Sequence, residues 1–384
     1  MQDTDFMRRA IELAKLGTGH TNPNPLVGAV IVKNNQIVGE GFHQTYGDLH
    51  AERNAIKNCI QNHPENFSEL LANSTIYVTL EPCCHTGKQP PCVEAIMQNK
   101  IAKVVIGSRD PNPLVSGKGA AILRSSGITV IEDFLKDECD KLNPVFFHYI
   151  QTKTPYVALK FAQSVDGKIA SKTGDSKWIS NEKSRLFTHE LRNQYTAILI
   201  GSNTAAADDP TLNCRIEKIN GRTPRNPIRI VLSTRLNLDI AGNLVKTARQ
   251  IPLIAVCTNE SLADPKVLEK KQALESCGAT VLAVAQKANR IDLADLCKKL
   301  GEQKIDSVLV EGGGEVLGSF ADEKLFNRVY CFTGCKIIGG AGKPSIKGEG
   351  IEKISNAVPL KLEEIKQFED DVLLVYSKKE SSEA

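Results

Sequence analysis

The chain has 384 residues, 24% of them charged and 5% aromatic, with a formal net charge of +3; the length suggests two or three domains with substantial cores. The near-balanced charge gives no bulk reason to expect nucleic acid or an anionic membrane as a partner. Eleven scattered cysteines, an acidic, polar start and no run of roughly 20 apolar residues point to free thiols and a cytoplasmic protein rather than a disulfide framework or a membrane span.

In chain order, a helix is predicted over 3–16, with Phe6, Ala10 and Leu13 on one face and Gly17 as its stop; strands follow at 27–32 and 37–41. The run from His50 through Ala55, Ile56, Cys59 and Ile60 has helical spacing and lacks Gly or Pro. Residues 75–80 read as a buried strand, and Val93, Ala95, Ile96 and Met97 behind Pro90-Pro91 read as a further helix. A strand at 103–107, a helix through 120–123 and a strand at 128–131 complete a layered α/β domain expected over 1–148. A linker is expected at 148–155. The second domain, 149–384, opens on a strand at Tyr156 that ends in turn residues by Gly167, and its later strands fall at 197–200, 228–232, 253–257 and 307–310. No internal repeat is visible, and 378–384 reads as a frayed polar tail.

The chemistry is concentrated in the first domain. His50-Ala-Glu52, Glu81-Pro-Cys83 and Pro91-Cys92 follow one another in the order used by zinc-dependent nucleobase deaminases. A neutral imidazole and two thiolates cancel the charge of one zinc and leave a fourth tetrahedral position for water, whose pKa the metal lowers toward roughly 7. Glu52 is placed to carry protons between water, ring nitrogen and departing ammonia. Both ligand-bearing helices would present their starts to the site, where aligned peptides favour thiolate and hydroxide. The same ligand types also build closed structural sites, and Cys84 and His85 are near enough in sequence to supply a fourth ligand. Glu52 and the Pro-Cys order favour the catalytic reading.

In the second domain, Val310-Glu311-Gly-Gly-Gly314 places glycines after a buried strand and at the start of a helix, where backbone can approach a pyrophosphate. It is not the Gly-x-Gly-x-x-Gly fingerprint, and a ligand-free strand–helix turn reads equally well. Gly339-Gly-Ala-Gly-Lys343 fails as a phosphate loop, because Ile337 stands where the first glycine is needed and Pro344 replaces the Ser/Thr.

The common deaminase spacing, Pro-Cys-x-x-Cys, is interrupted here by residues 84–91. The full string Glu81-Pro-Cys-Cys-His-Thr-Gly-Lys-Gln-Pro-Pro-Cys92, with Thr21-Asn-Pro-Asn-Pro-Leu-Val-Gly28 upstream, resembles the deaminase half of the bifunctional riboflavin-biosynthesis deaminase-reductases. Ser164-Val-Asp-Gly-Lys168, Gly174-Asp-Ser-Lys-Trp-Ile179, Gly201-Ser-Asn-Thr204, Ala207-Asp-Asp-Pro-Thr-Leu212 with Arg215, and the Glu311 run resemble the reductase half. The resemblance spans nearly the whole chain. It implies an α/β architecture: an N-terminal cytidine-deaminase-like zinc domain followed by a C-terminal dihydrofolate-reductase-like domain that uses NADPH.

By that resemblance His50, Cys83 and Cys92 would bind one zinc per chain, with Glu52 as acid/base residue. Asn24, His43, His85 and Lys88 would hold the pyrimidine and its phosphorylated sugar. Ala162, Trp178, Thr204, Asp208, Ser233, Gly313, Gly314, Glu315, Val316, Leu317, Gly318 and Ser319 would contact NADPH. Ser176, Arg192, Leu212, Arg215 and Glu311 would hold the reductase substrate, the two arginines as forked phosphate donors. Lys160 and Glu311 are candidates for polarising the reduced carbon or relaying a proton, and Arg235 is placed to meet the cofactor's 2'-phosphate. His20, His63, His148 and His189 have no assigned role.

The resemblance implies a small-molecule substrate, deamination of a diaminopyrimidinone ribosyl phosphate and NADPH reduction of the ribosyl chain. It also implies a homodimer formed through the reductase half. Two rival readings stand beside it: a nucleoside or transfer-RNA base deaminase with an accessory domain, and a nucleotide sensor with a structural zinc. The first predicts a basic, aromatic-rich surface, which 5% aromatics does not suggest.

Overall fold

The computed structural model describes residues 1–112 and 115–379, so positions 380–384 of the expected tail lie outside the described residues. Two compact units divide the chain between Lys153 and Thr154.

The first unit runs α1 (Asp3–Lys15), β1 (Gly28–Lys33), β2 (Gln36–Phe42), α2 (Ala51–Asn62), α3 (Phe67–Leu71), β3 (Thr75–Leu80), α4 (Cys92–Gln98), β4 (Lys103–Ser108), α5 (Lys118–Ser125), β5 (Thr129–Ile131), α6 (Lys136–Asp140) and α7 (Pro144–Thr152). Its sheet has the order β2-β1-β3-β4-β5, antiparallel on the β2 side and parallel from β3 to β5. Strand alternation divides the apolar residues between two cores. Ala29, Ile31, Ile76, Val78, Val104 and Ile106 pack with residues of α2, α4 and α5. Val30, Val32, Tyr77 and Val105 instead meet the apolar stripe of α1, including Phe6, Ala10 and Leu13. The expected linker is helical as far as Thr152. Pro144 at its first turn opens that helix, and the apolar stretch Val145-Phe-Phe147 continues it.

The second unit runs β6 (Tyr156–Ser164), β7 (Lys168–Ala170), α8 (Glu182–Gln194), β8 (Ala197–Gly201), α9 (Ser202–Asp208), β9 (Ile228–Leu232), α10 (Asn243–Lys246), β10 (Leu253–Thr258), α11 (Pro265–Ser276), β11 (Thr280–Val284), β12 (Gln286–Lys287), β13 (Arg290–Ile291), α12 (Leu293–Glu302), β14 (Ser307–Val310), α13 (Gly314–Asp322), β15 (Arg328–Gly334), β16 (Lys343–Pro344), β17 (Leu360–Phe368) and β18 (Asp371–Lys378). The main sheet has nine strands in the order β11-β10-β9-β8-β14-β6-β15-β18-β17. It is parallel from β11 to β15 and closed by the antiparallel β18 and β17. Strands β8 to β10 are apolar on both faces, with Leu199, Ile230 and Val256 in one core and Ile200, Val231 and Ala255 in the other. Double coverage of this kind is what parallel strands require.

Candidate active sites

In the first unit, β3 ends at Leu80 and the chain delivers Cys83 three residues on, at the strand's carboxyl edge. Glu81 is buried, and its carboxylate accepts from the backbone N–H groups of Gly117 (3.0 Å) and Ala120 (3.2 Å). It thereby pins the start of α5 to the loop that carries Cys83. Cys92 is the first residue of α4, and its N–H donates to Cys83 Sγ at 3.4 Å. His50 is the N-cap of α2, yet its side chain makes no capping bond. Its Nδ1 instead lies 3.5 Å from Cys83 Sγ and 3.4 Å from Cys92 Sγ.

Among the described residues these three form the one group of His, Cys, Asp or Glu whose ligand atoms all lie within 4.8 Å of one another. Neither Cys84 nor His85 joins them. Cys84 packs on the core, and His85 is exposed. The donor set suits zinc in type and number, three soft or borderline ligands with no fourth side chain among them. A hydrogen bond from Cys92 brings the Cys83 thiol down to about 4, against the opposing effect of burial. The Cys92 thiol is raised by that same bond and by burial. A bound cation would displace the proton that the two sulfurs share.

Glu52, in the first turn of α2, is 3% exposed. Burial, helped by the charge on Cys83, pushes its carboxyl up, as a proton carrier requires. Beside this cluster, Asn24 Nδ2 lies 3.1 Å from His43 Nε2, and His43 Nδ1 is 3.1 Å from the carbonyl of Leu49. The His43 and His50 rings meet edge to face at 5.4 Å. Lys88 Nζ lies 3.9 Å from the centroid of the Tyr46 ring. Asp110, which no motif marks, is a buried acid two residues past β4 whose carboxyl burial lifts to about 6. Its position at the same sheet edge as Cys83 was the available signal.

In the second unit Glu311 and the starts of α9 and α13 stand at the carboxyl ends of the adjacent strands β8 and β14. Glu311 follows β14, and Arg192 grips it with a two-point bond, Nε to Oε1 at 2.9 Å and Nη2 to Oε2 at 3.0 Å. Lys160 Nζ, from β6, stands 3.9 Å from Glu311 Oε2. Burial alone would raise the Glu311 carboxyl, but Arg192 and Lys160 together hold it at about 2, while burial pulls Lys160 below the ordinary lysine range. Glu311 is therefore an ionised clamp near neutral pH, with Lys160 and Arg192 as its counter-charges.

Gly313 N–H donates to Thr204 Oγ1 at 3.0 Å. The starts of α9 and α13 thus lie side by side after the neighbouring strands β8 and β14, with Ser233 following β9 next in line. Such a shelf of helix starts fits a dinucleotide's phosphates. Not every predicted contact residue is available to a ligand in the same way. Leu317 points into the core, and Leu212 is also buried. Glycine at 318 is required by the chain itself, because a Cβ there would stand 1.6 Å from the Lys347 carbonyl. Ala162 is half-buried on β6, Ser176 is half-buried and Asp208 exposed. Trp178 is 58% exposed with Arg185 4.4 Å above its ring. Arg235 is paired with Asp264.

A family model described as the cytidine and deoxycytidylate deaminase zinc-binding region matches residues 1–108, and one described as the RibD C-terminal domain matches 155–374. The riboflavin biosynthesis protein RibD of Actinobacillus pleuropneumoniae is 46% identical over 98% of this chain and 95% of its own length. This chain belongs to the RibD family. RibD of Bacillus amyloliquefaciens is 40% identical over 96% of this chain and 94% of its own. Among solved structures, an Acinetobacter baumannii RibD superposes with a TM-score of 0.85 at 32% identity, covering 98% of this chain and 99% of that one. A Thermotoga maritima diaminohydroxyphosphoribosylaminopyrimidine deaminase/5-amino-6-(5-phosphoribosylamino)uracil reductase gives 0.83 at 37% identity, covering 98% of both chains. As a RibD protein, the chain joins a cytidine-deaminase domain to a reductase domain of dihydrofolate-reductase-like fold. It is a bifunctional deaminase and reductase of riboflavin biosynthesis that uses zinc and NADPH.

Proposed function

We propose that the first unit removes an amino group from a diaminopyrimidinone ribosyl phosphate and that the second reduces the ribosyl chain of the product to a ribityl chain. The observation that carries this reading is the three-donor cluster of His50, Cys83 and Cys92 with buried Glu52 in the adjoining helical turn and no fourth side-chain ligand among the described residues. When bound, zinc supplies the acidity that makes hydroxide available near neutral pH, and NADPH supplies the hydride. His50, Cys83 and Cys92 would hold the metal. Glu52 takes a proton from the attacking water, passes it to a ring nitrogen and returns one to the departing ammonia. Asn24, His43 and His85 read the ring, and Lys88 meets the phosphate.

In the second unit Arg192 and Arg215 hold the substrate phosphate, with Ser176 and Leu212 lining the pocket. Lys160 lends a proton beside the reduced carbon, and Glu311 fixes Arg192 and Lys160. Gly313 and the start of α13 as far as Ser319, with Ala162, Trp178, Thr204, Asp208 and Ser233, seat NADPH. Free thiols at all eleven cysteines support a cytoplasmic setting, and among the described residues no helix is long and apolar enough to cross a membrane. Leu362 and Ile365, exposed on the edge strand β17, support self-association of the reductase unit as a dimer. The deciding experiment is Glu52→Ala: ammonia release should stop while NADPH oxidation on pre-deaminated substrate continues. Loss of both activities in a folded protein would refute separate sites.

A further inference from the structure

The loop that carries Leu212 and Arg215 is held by contacts that the proposed reaction does not explain. Leu212 is buried with φ +52, a left-handed conformation that a leucine keeps only where its surroundings impose it. From β9, the fully buried Arg229 donates to the Thr211 carbonyl at 3.2 Å. From α8, Arg192 Nη1 donates to the Asn213 carbonyl at 3.1 Å. The Cys214 N–H is tied to Asn226 Oδ1 at 2.9 Å, and two further contacts join Cys214 and Arg215 to His189. Cys214 Sγ donates to the His189 carbonyl at 3.2 Å, and the backbone N–H of Arg215 donates to His189 Nδ1 at 3.4 Å.

We propose that His189 is a positioning residue of the reductase: its carbonyl and its ring together latch the loop onto α8 and set the place of Arg215 relative to Arg192 and Glu311. The proposal rests on the reading of this loop as part of the substrate site. His189 and Arg192 are three apart on α8, so they share one face of the helix. Both therefore meet the same short loop, and the Arg192–Glu311 clamp fixes the helix against the end of β14. An Nδ1 that accepts an N–H carries no proton, so the neutral ring keeps its hydrogen on Nε2. Burial and the nearby Arg192 and Arg215 hold this histidine down at about 4, against the opposing pull of Glu311 and of a hydrogen bond to the Asn213 backbone. The latch therefore stays closed throughout the neutral range.

The test uses the full chain with zinc bound, deaminated substrate and NADPH. His189→Ala should raise KM for the substrate about tenfold, the equivalent of one ordinary hydrogen bond. It should leave kcat, the KM for NADPH and ammonia release within about twofold. Titration calorimetry with deaminated substrate alone should show the same weakening. His189→Asn carries an acceptor at the position of Nδ1 and should restore binding, whereas His189→Gln reaches past it and should not. The same pattern should follow from Cys214→Ala against Cys214→Ser. If Arg215→Met weakens substrate binding and His189→Ala does not, the latch is wrong and the substrate site stands. If neither variant changes binding, both fall. An equal loss in thermal midpoint, kcat and both KM values, unrescued by Asn, would make His189 a structural residue and overturn the proposal.

Discussion

Glu52 and Glu311 are both buried acids, and their neighbours send them in opposite directions. Glu52 has lost water and gained the negative field of Cys83, so it favours its proton; Glu311 has lost water but gained two cations, so it gives its proton up. Glu52→Gln, which keeps the shape and removes the proton transfer, should cost roughly 10²–10⁴-fold in the rate of ammonia release. Glu311→Gln leaves Arg192 and Lys160 buried without a counter-charge and should lower stability by about 3–5 kcal/mol. Its pH dependence has a definite sign. The folded carboxyl titrates at about 2, whereas an unfolded one titrates near ~4.3. The contribution is then complete above ~4.3 and is lost as pH falls through the folded value. Thermal melts of wild type and Glu311→Gln should therefore converge as the pH is lowered from about 6 toward about 2.

At the scale of elements, both sites depend on helices seated through positions that tolerate no side chain. A Cβ on Gly41, in β2, would stand 2.3 Å from the Ala55 nitrogen and 2.6 Å from the Ala51 carbonyl, both backbone atoms of α2. That helix carries His50 at its cap and Glu52 in its first turn. Gly41→Ala should therefore push α2 outward, costing roughly 1–3 kcal/mol, and should weaken zinc binding and ammonia release while NADPH oxidation is unchanged. Zinc content after dialysis and the two separate assays check this. Gly318, inside α13, works in a related way, because the loop around Lys347 occupies the space that a side chain there would need.

At the scale of the whole molecule, each unit has a sheet covered by its own apolar clusters, so the two chemistries should fail independently. Removing zinc with a chelator should abolish ammonia release, and adding back about one zinc per chain should restore it. Throughout, the rate of NADPH oxidation on deaminated substrate should not move. A reductase that lost activity along with the metal would contradict this independence.

Much of this was legible in the linear chain because the signals are local. Alternating apolar residues at 75–80 and the long apolar strands of the second unit announce their period, and the spacing of His50, Glu52, Cys83 and Cys92 carries zinc chemistry in the residue types themselves. The helix at Pro144–Thr152 was hidden by polar residues at its end, which read as a linker. What only the tertiary structure decided are properties that arise between distant segments. Glu311 could not be known as a clamped, ionised acid until Arg192 and Lys160, remote in sequence, closed around it. Nor could Cys84 and His85 be set aside as ligands, or His189 given a role, before the fold placed one on the core, one in solvent and one against Arg215. The physical reason is common to all three. Charge, solvation and hydrogen bonding depend on neighbours in space, and the sequence names those neighbours only once the sheet order is known.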